Sequence, residues 1–230
     1  GASAGRKVRE LGIDPFSLPR EWVPEEAWGL VEVVRGWAER DVIPVRRELD
    51  EDWREHRLAR PLLEKLCVEL GYQRACWPEE YGGLGIGSIT SCLLMEEMGR
   101  ADSGLATAAS CSIWAMSAVF PPAENRELME LYTPRFLDEE RWYVGCLALT
   151  DVNSGSDVEN VDGTHGRYIT TRARQEGDEW VVTGHKLWPT NSGGAADLFA
   201  VLCTTDPEAG DDGVAIIYVP ADAPGVTQGA

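Results

Sequence analysis

Along residues 25–52, Trp28, Val31, Val34 and Ala38 recur at three- and four-residue steps among charged neighbours, the period of an amphipathic helix. Pro44 marks a kink or an early end, because proline lacks the N–H of the helical ladder and crowds the preceding turn. Residues 58–70 repeat the pattern, with Leu62, Leu66 and Leu70 on one stripe and Gly71 placed to stop the helix. A turn-rich stretch from Trp77 to Gly87 follows. Ser88 is expected to cap the next helix, which runs through Leu93, Leu94 and Met98 to Gly99. Asp102 or Ser103 starts another, nearly uncharged helix whose Leu105, Ala108, Ala109, Ile113, Ala115 and Met116 predict burial on most sides. Pro121 and Pro122 end it, and a last helix covers residues 123–138.

After Arg141 the texture changes. Residues 142–149 are apolar, residues 169–174 are rich in threonine, and Trp180-Val181-Val182-Thr183 lies between Gly177-Asp178 and Gly184, the signature of a hairpin. Residues 198–204 and 214–219 are further short apolar runs between turn signals. Consecutive helices followed by consecutive strands indicate an α+β class. The expected division is an N-terminal extension over 1–24, an all-α helical domain over 25–140 and a β domain over 141–230.

Charge removes one class of function. With 21 basic and 39 acidic residues the formal net charge is −18, which opposes a surface that must hold nucleic acid. Arg172 and Arg174 remain a local patch able to contact an anion. The six cysteines are widely spaced with no CxxC pair, so reduced core thiols are expected rather than a zinc site or disulfide framework. No signal segment and no run of eighteen apolar residues is present, which predicts a cytoplasmic chain without a membrane span.

Most candidate sites reduce to ordinary structure. The glycines from Gly82 to Gly87 miss the GxGxxG count because Ser88 stands where the third glycine belongs, and they follow a helix rather than a strand, so a loop is expected. Glu96 and Glu97 point in different directions on a helix, and a solvated face accounts for them. His56, His165 and His185 are too scattered for a metal cluster. Ser156 lacks the GxSxG frame of a nucleophile elbow. Two stretches remain. Thr150 closes an apolar strand and precedes a small-residue loop through Ser156 and Asp157, so its hydroxyl and nearby N–H groups can meet a polar ligand edge. Thr190 stands two residues after Trp188, where strand alternation would put both side chains on one face, the indole covering a flat ligand and the hydroxyl bonding its heteroatoms. From the residues alone, an ordinary hairpin with a buried Trp188 is the better account.

The order of the motifs reverses that preference. Pro78-Glu79-Glu80-Tyr81-Gly82-Gly83-Leu84-Gly85, Leu149-Thr150-Asp151 with Gly155-Ser156-Asp157-Val158, Thr171-Arg172-Ala173, Gly177-Asp178-Glu179-Trp180, Gly184-His185-Lys186 and Trp188-Pro189-Thr190-Asn191 together resemble the acyl-CoA dehydrogenase family. The resemblance implies a helical N-terminal domain followed by a β-barrel-like or β-sandwich middle domain, with FAD held partly by the latter. It places Leu147, Leu149, Thr150 and Ser156 along the isoalloxazine, Thr150 on its pyrimidine edge, Trp188 and Pro189 packed against it, and Thr190 near N5. Ser156 would also contact the acyl-CoA substrate. In such enzymes a carboxylate removes the proton α to the thioester while the β-hydrogen moves as hydride to the flavin, giving an enoyl-CoA.

That carboxylate belongs, in the family, to a C-terminal helical domain, so no catalytic residue is assigned within 1–230. The resemblance therefore implies a second protein subunit supplying that domain, a hetero-oligomer, with an electron-accepting flavoprotein as a further partner. An assembly subunit without flavin and a fragment of a longer enzyme are the alternatives. Three departures from the family pattern bear on the flavin contacts: Val152-Asn153, Leu147 where an aromatic is common, and Pro189, which removes an N–H. A longer connection around Asp162-Gly163-Thr164-His165-Gly166 reads as a tolerated surface insertion.

Overall fold

The computed structural model describes residues 23–120, 125–155 and 168–229. Its helical half begins with α1 (Glu25–Trp37), which continues through a π-helical turn (Ala38–Val42) and a 3-10 turn (Ile43–Val45) into α2 (Arg46–Glu51). Pro44, which lacks a ladder donor, lies in the 3-10 turn. α3 (Ala59–Glu64) runs into a second π-helical turn (Lys65–Glu69), and Gly71 follows at φ 75°, a left-handed conformation that ends the run before α4 (Tyr72–Ala75).

α5 (Ser88–Ala101) and α6 (Ser103–Trp114) follow. Gly87, not Ser88, occupies the cap of α5; it is extended, and Ser88 is already the first helical residue with no capping bond. Asp102 does cap α6, accepting from the Leu105 N–H at 2.9 Å. The last helix, α7, is shorter than its sequence pattern suggested, Arg126–Phe136, and starts where the Asn125 side chain accepts from the Leu128 N–H. Pro121 and Pro122 lie outside the described residues.

The core of this half gathers Val31, Val34 and Trp37 from α1, Leu66, Leu94 and Met98, and Leu105 and Ile113 from α6. α6 is the central helix, and its Ala106, Ala109, Ser110, Cys111 and Ser112 are also buried, as its uncharged sequence requires. One expectation fails here. Glu97 is 2% exposed, not solvated, because its face of α5 packs inward and Arg35 of α1 (3.2 Å) and Arg100 (2.7 Å) satisfy the carboxylate there.

Five strands make one mixed sheet: β1 (Gly145–Ala148), β2 (Arg172–Glu176), β3 (Glu179–Thr183), β4 (Leu198–Thr204) and β5 (Val214–Pro220). β4 is its centre and is almost wholly buried, which suits its continuous apolar run. β1 lies parallel to it in the register Gly145 to Leu198, and β5 antiparallel on its other side. The β2–β3 hairpin turns at Gly177 (φ 65°) and joins β4 at a single pair, Arg172 with Thr204. The α+β arrangement is thus a helical half followed by a mixed sheet.

The two halves are seamed along α6 and β1. Gly145 makes the close approach there: a Cβ at this position would stand 2.4 Å from the Ser112 carbonyl oxygen. The Ser112 hydroxyl donates to the Tyr143 carbonyl (3.2 Å) and accepts from the Gly145 N–H (2.9 Å). A second apolar cluster bridges the seam, with Trp77 stacked on Phe136 at 4.9 Å and with Met129, Tyr143 and Leu198 of β4 among its members.

Candidate functional site

The glycine loop holds no anion. The N–H groups of Gly83, Leu84, Gly85 and Ile86 donate to the carbonyls of Pro78, Arg74, Trp77 and Ala75 at 2.8 to 3.1 Å, so the chain consumes the donors a phosphate would need. Among the described residues no group of His, Cys, Asp or Glu is arranged to hold a metal, and no helix is long and apolar enough to cross a membrane. His165 and the insertion around it lie outside the described residues. All six cysteines are free.

The Thr150 and Trp188 stretches, far apart in sequence, are adjacent in space. The Leu187 N–H donates to the Thr150 carbonyl at 3.0 Å, and Asp151 and Lys186 form an antiparallel bridge beside it. The strand end and the 186–191 segment are thereby joined by backbone bonds into one surface. Leu147, Leu149 and Thr150 are half-buried along it, Pro189 is half-buried, and Trp188 and Thr190 are exposed. Ser156 lies outside the described residues.

Trp188 is not the buried tryptophan of an ordinary hairpin. Its ring is 84% exposed, and its backbone sits at φ 53°, a conformation that L-residues with large side chains rarely take. The strand alternation expected for Trp188 and Thr190 also fails: residues 187–189 are irregular, a turn begins at Thr190, and Asn191 is again left-handed at φ 72°. Two positive-φ residues within four positions turn the segment away from the sheet. The Thr190 side chain instead lies toward the Cys111 thiol on α6, whose pKa burial pushes up and Thr190 partly offsets. Asn191 sets the depth of the turn. Its side-chain amide donates to the Ala108 carbonyl of α6 at 2.8 Å and to the Gly145 carbonyl of β1 at 3.1 Å.

Under this surface is a polar cluster that the sequence reading missed. The Asp151 side chain is fully buried and accepts from the Val152 N–H (2.7 Å), the Thr171 N–H (2.9 Å), the Thr171 hydroxyl (2.7 Å) and the Thr170 hydroxyl. Lys186 Nζ lies 3.3 Å from it and donates to the Leu149 carbonyl at 2.8 Å. Burial alone would push the Asp151 carboxyl up; the bonds from Thr170 and Thr171 and the charge of Lys186 outweigh it and hold the group well below the usual carboxylate range. Such a carboxylate is a poor proton acceptor at neutral pH, and its oxygens are already engaged. Asp151 is a structural anion, not a base.

The surface fits a flat, partly apolar group with polar edges. An indole held outward in an unfavourable backbone conformation is available to cover a ring. In the loop just after Thr150, the Ser154 hydroxyl is buried with no hydrogen-bond partner among the described residues.

Comparison with known proteins follows the same division of the chain. The model of the acyl-CoA dehydrogenase N-terminal domain matches residues 24–140, and that of the acyl-CoA dehydrogenase middle domain matches residues 146–230. The chain is 30% identical over 208 residues to the probable acyl-CoA dehydrogenase FadE25 of Mycobacterium tuberculosis, covering 90% of this chain and 49% of that protein. It is 33% identical over 205 residues to cyclohex-1-ene-1-carbonyl-CoA dehydrogenase of Geobacter metallireducens, covering 89% and 50%. Among solved structures, glutaryl-CoA dehydrogenase from Mycobacterium smegmatis superposes with a TM-score of 0.69 at 28% identity, over 88% of this chain and 47% of that one. The chain spans about half the length of the curated relatives it matches. With both domain models matched in order over the helical half and the sheet, the chain belongs to the acyl-CoA dehydrogenase family.

Proposed function

We propose that residues 25–140 and 141–230 are the helical and middle domains of an FAD-dependent acyl-CoA dehydrogenase, and that the surface joining Thr150 to Trp188 is its flavin-facing wall. The observation that carries this reading is the backbone pairing of Leu187 with Thr150, which joins half-buried Thr150 to the segment that carries the exposed Trp188. Leu147, Leu149 and Pro189 provide the apolar part of the wall. Thr150 would bond the pyrimidine edge, Trp188 would cover the ring, and Thr190, toward the Cys111 thiol of α6, would bond near N5. By its place in the family-like motif, Ser156 is the expected contact to flavin and acyl-CoA.

When bound, the flavin supplies the hydride-accepting chemistry. The protein's own part here is to orient and to exclude water, with the hydroxyls and N–H groups along Thr150 fixing the ring's polar edge. The proton-abstracting carboxylate comes from outside residues 1–230, on a second subunit or on further residues of the same polypeptide; Asp151, buried and held ionised, does not serve. An electron-accepting flavoprotein is the expected redox partner. The net charge of −18, with 39 acidic against 21 basic residues, opposes the polyanionic CoA, so most CoA contacts also fall to that other part. Six free thiols suit a reducing compartment such as the cytoplasm.

The test is a visible spectrum of the protein purified from its own host with whatever accompanies it. Bound oxidised flavin that bleaches anaerobically on adding a saturated acyl-CoA thioester supports the reading. A colourless preparation, with intact chain and partner confirmed by mass spectrometry, refutes it and leaves an assembly role.

A further inference from the structure

The buried pair Asp151 and Lys186 adjoins the Leu149–Thr150 peptide of the proposed flavin wall. A buried ion pair is a weak stabiliser, because the desolvation of both charges offsets most of their attraction. Lys186 also spends one donor on a main-chain carbonyl, that of Leu149, at 2.8 Å. The peptide between Leu149 and Thr150 is planar and trans, so its C=O and N–H point in opposite directions. Fixing the Leu149 oxygen on Lys186 therefore fixes the Thr150 N–H away from the pair.

The same residues set the partner stretch. Asp151 and Lys186 bridge through their backbones, and Leu187, next to Lys186, donates to the Thr150 carbonyl. Asp151 is anchored in turn to Thr170 and Thr171, at the entry to β2. One lysine thus links the Leu149–Thr150 peptide to the entry of β2 through Asp151, while its own backbone carries the Trp188 segment.

We propose that Lys186, held by Asp151, is a positioning residue that orients the Leu149–Thr150 peptide toward the polar edge of the flavin and holds the Trp188 segment at a fixed distance from it. The assignment rests on the flavin-wall reading above, and it acts through Thr150 rather than by contact with the ring.

Two variants of the holoprotein test it. Lys186→Met removes the ammonium while keeping an unbranched side chain but leaves Asp151 unpaired. The double variant Asp151→Asn with Lys186→Met leaves no buried charge alone. Flavin dissociation is measured on the holoprotein, and amide hydrogen exchange over residues 147–151 on the flavin-stripped protein. Losing a hydrogen bond from a charged donor predicts flavin held roughly tenfold more weakly in both variants. It also predicts faster exchange at Thr150 in both, and a shifted flavin spectrum in the double variant even where its melting temperature equals that of the parent. Flavin affinity and exchange unchanged in the double variant overturn the assignment. So does a double variant that fails to fold, since the pair would then serve the fold alone. If the parent protein binds no flavin, the flavin-wall reading fails, and unchanged exchange at Thr150 would remove the positioning role as well.

Discussion

Asn191 offers the sharpest test of how the site segment is held. Its side-chain amide reaches two carbonyls, Ala108 on α6 and Gly145 on β1, and so pins the turn after Trp188 to both halves of the molecule. Its backbone is left-handed at φ 72°, which asparagine tolerates better than other L-residues. Asn191→Ala removes both bonds, worth about 1 kcal/mol each, and forces an alanine into that conformation at about 1 kcal/mol more. The total expected loss is about 3 kcal/mol. Asn191→Gly removes the same bonds but relieves the backbone, so its loss should be about 2 kcal/mol. Urea unfolding of the two variants, with the slope checked for constancy, separates the terms. Hydrogen exchange at residues 187–191 should rise in both. A glycine variant as stable as the parent would show that the two bonds contribute nothing, and an alanine variant no worse than glycine would show that the left-handed backbone carries no strain.

Three further outcomes follow from named contacts. Because the folded Asp151 carboxyl lies below its unfolded value of about 3.9, its contribution is present above that pH and lost as pH falls through the folded value; Asp151→Asn should be less stable at neutral pH, with the gap to the parent closing below about pH 4 in acid unfolding. Gly145→Ala should destabilise by about 3 kcal/mol, since the new Cβ meets the Ser112 carbonyl, whereas Gly99→Ala, in open space on α5, should be neutral or stabilising by roughly 0.5 kcal/mol; equal denaturation midpoints for the two would contradict the close packing of α6 on β1. Glu97→Gln should lose about 2 kcal/mol through its bonds to Arg35 and Arg100, and a loss that vanishes in moderate salt would mean the carboxylate is solvated after all.

The periodicity of the chain made most of the fold legible. α1, α6 and the strands β3 to β5 overlap the runs that the sequence pattern marked, and β4 buries both faces, whereas β2 begins at Arg172, three residues into the run expected over 169–174. The Asp102 cap was also readable, being a short side chain before an apolar run. Glu97 was not, since its two arginine partners come from different elements and only the fold brings Arg35 near. Thr150 and Trp188 could be singled out, but not the shape between them. The expected alternation from Trp188 to Thr190 failed because Trp188 and Asn191 both take positive φ, which side-chain type alone predicts poorly. Asp151 and Lys186 were missed for a related reason. Their separation of 35 residues hides the pairing, and the only local signal was a lysine two residues before an indole in a segment otherwise free of charge.

The central claim is that the surface joining Thr150 to Trp188 holds the flavin, and flavin content per chain measures it most directly. The native-host preparation should be compared with Thr150→Val and Trp188→Ala, each checked for an unchanged melting temperature after flavin removal. The account predicts about one flavin per chain in the parent, weaker retention in Thr150→Val for want of one hydrogen bond, and loss of flavin-dependent quenching of tryptophan fluorescence in Trp188→Ala. A parent that carries flavin while both variants hold it as tightly and quench as fully would place the cofactor on some other surface and contradict the account.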